Sequence, residues 1–89
     1  PILRENVITE NLRDGVIARD NSLPDLGLAD SPGNNTIRNN GRDAKLKGVD
    51  LNNSTGNVLT AIGNSIDPKK IAGRVNFTPG GAVAFADVQ

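Results

Sequence analysis

Asn6-Val-Ile-Thr-Glu-Asn11, Asn35-Thr-Ile-Arg-Asn-Asn40 and Asn57-Val-Leu-Thr-Ala-Ile-Gly-Asn64 are three short strand-like stretches, each opened and closed by asparagine. One apolar residue holds a fixed place in each: Ile8, Ile37 and Leu59. A unit that recurs with such a position cannot bury it alone and must stack on its neighbours, so the repeat specifies a solenoid. The opening asparagine returns after 29 positions and then after 22. The difference places an insertion in residues 22–34, where two prolines, two glycines and turn-forming Asp and Asn predict a projecting loop.

A second strand follows each box, starting at Gly15, Gly48 and Gly73. Period-2 alternation points Val16, Val49 and Val75 inward, together with Ala18, Leu51 and Phe77, and turns Ile17, Asp50 and Asn76 outward. Leu12, Leu46 and Ile66 or Ile71 are expected to fill the bend between the two strands. Asn6, Asn35 and Asn57 would form one column of side-chain amides and Asn11, Asn40 and Asn64 another, each amide donating to the next along the axis. The fold expected is all-β, a right-handed parallel β-helix of about three coils in a single domain. A lead-in strand spans 1–5, the coils span 6–34, 35–56 and 57–77, and a terminal strand or cap spans 78–89. Asp67-Pro68 has the form of an N-cap followed by a first helical residue. In the last strand Val83 and Phe85 share a side, which is expected either to cover the open end of the stack or to pair with the edge of another copy.

Composition bounds the rest. The chain has 89 residues, 36% of them apolar, and its aromatic residues are Phe77 and Phe85; this makes one domain at most, with a thin core of small side chains. Ten basic residues balance ten acidic ones, so no net field draws the chain to nucleic acid or anionic lipid. With no basic cluster and no stacking aromatics, nucleic-acid binding is excluded. Cysteine and histidine are absent, which removes disulfides, thiol chemistry and the imidazole base. The longest apolar stretch, Gly81–Ala86, is far short of the ~20 residues of a membrane span, and a soluble chain without membrane insertion is expected. The chain opens on Pro1 rather than Met and shows no signal peptide. That is expected of a processed product or an excised fragment, and a fragment lacking N-terminal coils is favoured.

The run from Pro24 to Gly41, with Asp50–Asn57 and Ala61–Pro68, resembles the C-terminal coils of bacterial right-handed parallel β-helix proteins of the pectin-lyase-like group, in a subfamily of unknown function. The most specific element is Pro24-Asp-Leu-Gly27 followed by Ser31-Pro-Gly-Asn-Asn35. The resemblance implies three parallel sheets per coil, an extracellular or cell-surface setting and involvement with polysaccharide. It implies no activity, because fold is not function.

Polysaccharide-cleaving enzymes on this fold need calcium-binding carboxylates with a catalytic Arg or Lys, or else paired carboxylates. The nearest candidates are Asp14, Asp20, Asp43 and Asp50, with Arg13, Arg19 and Arg42. Asp20 and Asp50 would be neighbours if the Gly15 and Gly48 strands stack in the alignment above. Asp14 and Asp43, however, each follow a box asparagine by three residues, the signature of a repeated turn residue. A Ca2+ ion could draw on Asp25, Asp30 and loop carbonyls, but turn initiation beside Pro24 and Pro32 is the favoured reading of both. The sequons at Asn34, Asn52, Asn53 and Asn76 are read as ladder or turn residues, and Lys45, Lys47, Lys69 and Lys70 as a solvated rim that discourages edge pairing. The function expected is a non-catalytic structural or self-associating module, its partner a second copy or the missing coils. The alternative is a carbohydrate-binding or polysaccharide-cleaving domain, which the absence of Trp and Tyr disfavours, since sugar sites use aromatic platforms.

Overall fold

Among the described residues, every pairing between strands joins segments distant in sequence and runs parallel. The computed structural model describes residues 1–80. Its strands are β1 (Val7–Thr9), β2 (Val16–Ala18), β3 (Thr36–Arg38), β4 (Leu51–Asn53), β5 (Leu59–Asn64), β6 (Ile71–Ala72) and β7 (Val75–Pro79). They form three parallel sheets, β1-β3, β2-β4-β6 and β5-β7, in which no two consecutive strands are neighbours. Parallel partners require a crossover, and here the crossover is the rest of a winding. Isolated bridges extend the sheets, Ile2 on Asp25 and Thr36 on Ser65, while the Ile62 amide donates to the Gly27 carbonyl. Residues 1–3, 24–27, β5 and β7 thus stack as one sheet, and β1, β3 and Ser65 as a second. The all-β class and the parallel winding read from the sequence are present.

The core is a column of aliphatic side chains along the axis. Ala18, Leu26, Ile37, Leu51, Leu59, Ala61 and Ile66 are buried, with Ile8, Val16, Ile71, Val75 and Phe77 packed against them. Fully burying one Leu or Ile contributes about 1.5–3 kcal/mol, so this column is the main hydrophobic contribution to stability.

The register differs from the one the asparagine boxes suggest. Ile8 pairs with Ile37, and because Thr36 bridges Ser65 the next rung is Ile66. Leu59 lies in another sheet, opposite Val75. Val16 pairs with Leu51 rather than Val49, and Leu51 with Ile71 rather than Phe77; Phe77 stands opposite Ala61. Leu12 and Leu46 are exposed and do not fill a bend. The physical reason is that Val-Leu-Thr-Ala-Ile and Val-Ile-Thr share the same two-residue alternation, which cannot say to which of three sheets a short strand belongs. With Asn64 as the third rung, the second coil runs over 35–63 and the third starts at 64, in place of 35–56 and 57.

The insertion is also smaller than residues 22–34. Pro24, Leu26, Gly27 and Gly33 are buried in the stack. Only 28–32 leaves it, as a lobe closed by reciprocal Leu28–Ser31 backbone bonds of 2.9 and 3.1 Å. Asp67 caps a single 3-10 turn, Pro68–Lys70, with Oδ1 accepting the Lys69 amide at 3.0 Å. Val83 and Phe85, and the strand expected around them, lie outside the described residues.

Candidate functional site

Two amide columns run along the winding. In the first, Asn35 Oδ1 accepts both the backbone amide and Nδ2 of Asn6, at 2.9 and 3.1 Å. Asn64 Oδ1 accepts the same two groups of Asn35, at 3.1 and 2.9 Å. In the second column Asn40 Oδ1 accepts from Asn11 at 3.1 and 2.8 Å, and Asp50 Oδ1 accepts from Asn40 at 2.9 and 3.0 Å. Nδ2 of Asn35, Asn40 and Asn64 each also reach back to a carbonyl of the preceding winding: Leu3, Ile8 and Leu26. Asn64 therefore belongs with Asn6 and Asn35, and Asp50 occupies the place expected for Asn64. Asn57 is no rung; it is an exposed turn residue whose carbonyl accepts Asn53 Nδ2.

The residue before each asparagine rung is left-handed: Glu5 (φ 57°), Glu10 (φ 65°), Asn34 (φ 54°), Asn39 (φ 56°) and Gly63 (φ 77°). A left-handed residue followed by an extended one bends the chain sharply and aims the asparagine side chain along the axis. Glutamate is a poor occupant of this region, asparagine and glycine good ones, so the αL-Asn pair is the local signal behind Asn34-Asn35, Asn39-Asn40 and Gly63-Asn64.

The same geometry assigns the acids. Asp14 accepts the Val49 amide at 2.7 Å and Asn52 Nδ2 at 3.3 Å, tying one winding to the next. Asp43 accepts the Lys45 amide at 2.9 Å. Asp50 is fully buried at the end of its column. Asp20 is exposed in a turn, with φ 57°. Because Val16 is opposite Leu51, Asp50 is level with Gly15 and its backbone carbonyl accepts the Val16 amide. Asp20 is five positions further along, so the register separates the two carboxylates that a shifted alignment had made neighbours.

Asp25 is held by Arg4, whose Nη2 donates to both carboxylate oxygens at 3.0 and 3.1 Å while Nη1 donates to the Asp25 carbonyl at 3.2 Å. Asp25 Oδ1 also accepts the Gly27 amide at 2.9 Å. A guanidinium docked on both oxygens opposes a Ca2+ ion at the same carboxylate by charge and by occupancy. Asp30 stands exposed on the lobe. Among the described residues no three Asp, Glu, His or Cys side chains gather as a metal site. Of the sequon asparagines, Asn52 and Asn53 lie in β4 and Asn76 in β7; Asn53 is buried at the end of its strand, with Nδ2 donating to the Asn57 and Arg74 carbonyls and Oδ1 accepting from Thr55. Lys45, Lys47 and Lys69 are exposed, and Lys70 Nζ donates to the Asn40 carbonyl at 2.8 Å.

One concavity lies on the outer surface of the first sheet, a cleft of about 240 Å³ with walls of Leu23, Pro24, Leu28 and Val58 and with Asp25 and Thr60 as its polar groups. Arg4, Thr60 and the three aliphatic walls were not singled out from sequence, because they converge only once residues 1–3, 24–27 and β5 are stacked. The cleft offers one carboxylate already paired with Arg4 and no aromatic surface.

Parallel windings, inward aliphatic rungs and paired amide columns define a parallel β-helix domain. The chain belongs to the family described as "Protein of unknown function (DUF1565)", which matches residues 2–71 and is associated with pectin-lyase-like β-helix proteins. No curated protein and no solved structure matches it.

Proposed function

We propose that this chain is a structural β-helix module of an extracellular or cell-surface protein, which stacks end-on against further windings rather than processing polysaccharide. The observation that carries the reading is the incomplete burial of the aliphatic column at its N-terminal end. Ile37 and Leu51 are fully buried, whereas Ile8 and Val16, which precede them in the same rungs, are only half-buried. Among the described residues, strands β1 and β2 are edges of their sheets, and a parallel edge beside a half-exposed apolar column favours end-on association. The acids tell the same way. Asp14, Asp25 and Asp50 accept hydrogen bonds that hold the winding together, and Asp43 fixes a turn of the 41–48 excursion, so few are at liberty for acid and base work.

The rival reading, carbohydrate binding or cleavage, has the cleft at Asp25 and Thr60 in its favour and aliphatic rather than aromatic walls against it. The test is a panel of acidic and neutral polysaccharides, assayed for retention and for unsaturated products with and without Ca2+. Neither is expected. Binding lost in Asp25→Asn, or cleavage lost in Asp20→Asn or Asp50→Asn, would overturn the structural reading. Light scattering across a hundredfold dilution tests the association itself, and a chain that stays monomeric at every concentration would refute self-assembly.

A further inference from the structure

Interior rungs and the first rung differ in one respect. Asn35 Oδ1, Asn40 Oδ1 and Asn64 Oδ1 each accept two donors from the winding before. Among the described residues nothing donates to Asn6 Oδ1 or Asn11 Oδ1. The Nδ2 groups show the same break. Interior ones reach back to the Leu3, Ile8 and Leu26 carbonyls of the preceding winding. Asn6 and Asn11 instead turn onto carbonyls two residues back in their own winding, Arg4 at 3.2 Å and Thr9 at 3.5 Å. The last is a long, weak contact, a local substitute for the reach across windings.

We propose that this rim is a built acceptor for one partner chemistry: a parallel β-winding that carries an Asn-x4-Asn pair, donating its backbone amides and Nδ2 groups to Asn6 Oδ1 and Asn11 Oδ1. The spacing is set by the molecule itself, since Asn6–Asn11 and Asn35–Asn40 are both five residues apart and superpose rung on rung. The partner's apolar rungs would cover Ile8 and Val16. The columns also have a direction, because every side-chain oxygen accepts from the winding before it. Two copies meeting rim to rim about a two-fold axis would pair β1 with β1 antiparallel or with its faces exchanged, and neither continues the parallel ladder, so the rim takes only the donor end of a winding. Asp50 marks the opposite pole of the second column: a carboxylate accepts from Asn40 and has no N–H to pass on.

The inference rests on the structural reading above. It is tested by lengthening the full chain: residues 1–34 followed by 6–89, which duplicates one 29-residue winding and places a second Asn pair on the original Asn6 and Asn11. The lengthened chain is expected to fold with an equilibrium constant at least tenfold above the parent in urea titration. Replacing the added pair by Asp keeps its shape but removes the side-chain donors, and should abolish that gain. A lengthened chain that folds no better than the parent, that fails to fold, or that is indifferent to the Asp pair overturns the proposal. So does disulfide cross-linking of Val7→Cys copies to each other through this rim. Polysaccharide binding would sink the structural reading while leaving the stability gain intact, so the two failures are distinguishable.

Discussion

Replacing Asn35 by alanine tests the register directly. Its side chain is wholly buried and makes four hydrogen bonds, two accepted from Asn6 at 2.9 and 3.1 Å and two donated, to Asn64 Oδ1 at 2.9 Å and the Leu3 carbonyl at 3.0 Å. Each is worth about 1 kcal/mol net. The groups of exposed Asn6 recover most of their loss from water, so the two inner bonds dominate. Asn64 Oδ1 keeps only its bond from the Asn35 backbone amide, and a buried gap adds to the cost. The expected destabilisation is about 2–4 kcal/mol, against a total of roughly 4–13 kcal/mol for a domain of this length. Asn57→Ala is the matched control, since its exposed side chain carries no rung, and should change stability by less than about 0.5 kcal/mol. Urea unfolding followed by far-ultraviolet circular dichroism measures both. Equal losses in the two variants, or a loss below about 0.5 kcal/mol in Asn35→Ala, would refute the 6-35-64 column.

Three further perturbations follow from local geometry. Glu5 holds φ 57° with an exposed side chain, so Glu5→Gly should relieve left-handed strain and raise stability by about 0.5–1 kcal/mol; an unchanged or lower urea midpoint would count against strain at this bend. Gly63 holds φ 77°, and an added Cβ would come 2.5 Å from Pro32 Cβ. Gly63→Ala should therefore cost about 2 kcal/mol, and thermal unfolding at the parent temperature would argue that the turn yields easily. Asp25→Ala removes the bidentate Arg4 pair and the Gly27 contact. A loss of about 1–2 kcal/mol is expected, with faster hydrogen exchange at Leu28 and Ser31; unaltered exchange at those amides would show that the lobe does not depend on Asp25.

How much of this was legible beforehand depends on which residues are asked. Ile8 and Ile37 were readable as one column because each sits in the same place within an asparagine box, and that spacing survives folding. Leu59 satisfied the same pattern and belongs elsewhere, because alternation reports which side of a strand is apolar and is silent about which sheet receives it. The better marker was the residue ahead of the rung: Asn34, Asn39 and Gly63 hold the left-handed backbone, whereas Gly56, ahead of Asn57, tolerates it but does not adopt it and stands in an open turn with nothing near a Cβ there. Pro24 and Leu26 looked like loop because proline and glycine dominate the run. They are in the stack because a parallel winding needs only a short extended stretch in each sheet. The cleft was not readable at all, since Leu23, Leu28 and Val58 have no common spacing and meet only through the stacking of two windings.

The equal intervals from Asn6 to Asn35 and from Asn35 to Asn64 are built from unlike parts. The first contains the lobe at 28–32; the second contains an excursion over 41–48, whose neck brings Gly41 against Gly48. From Leu59 to Val75 the chain completes a circuit with neither. Contour length per circuit is thus loosely specified, while the axial rise is held by the rungs. Lengthening or trimming either excursion should leave the pitch untouched.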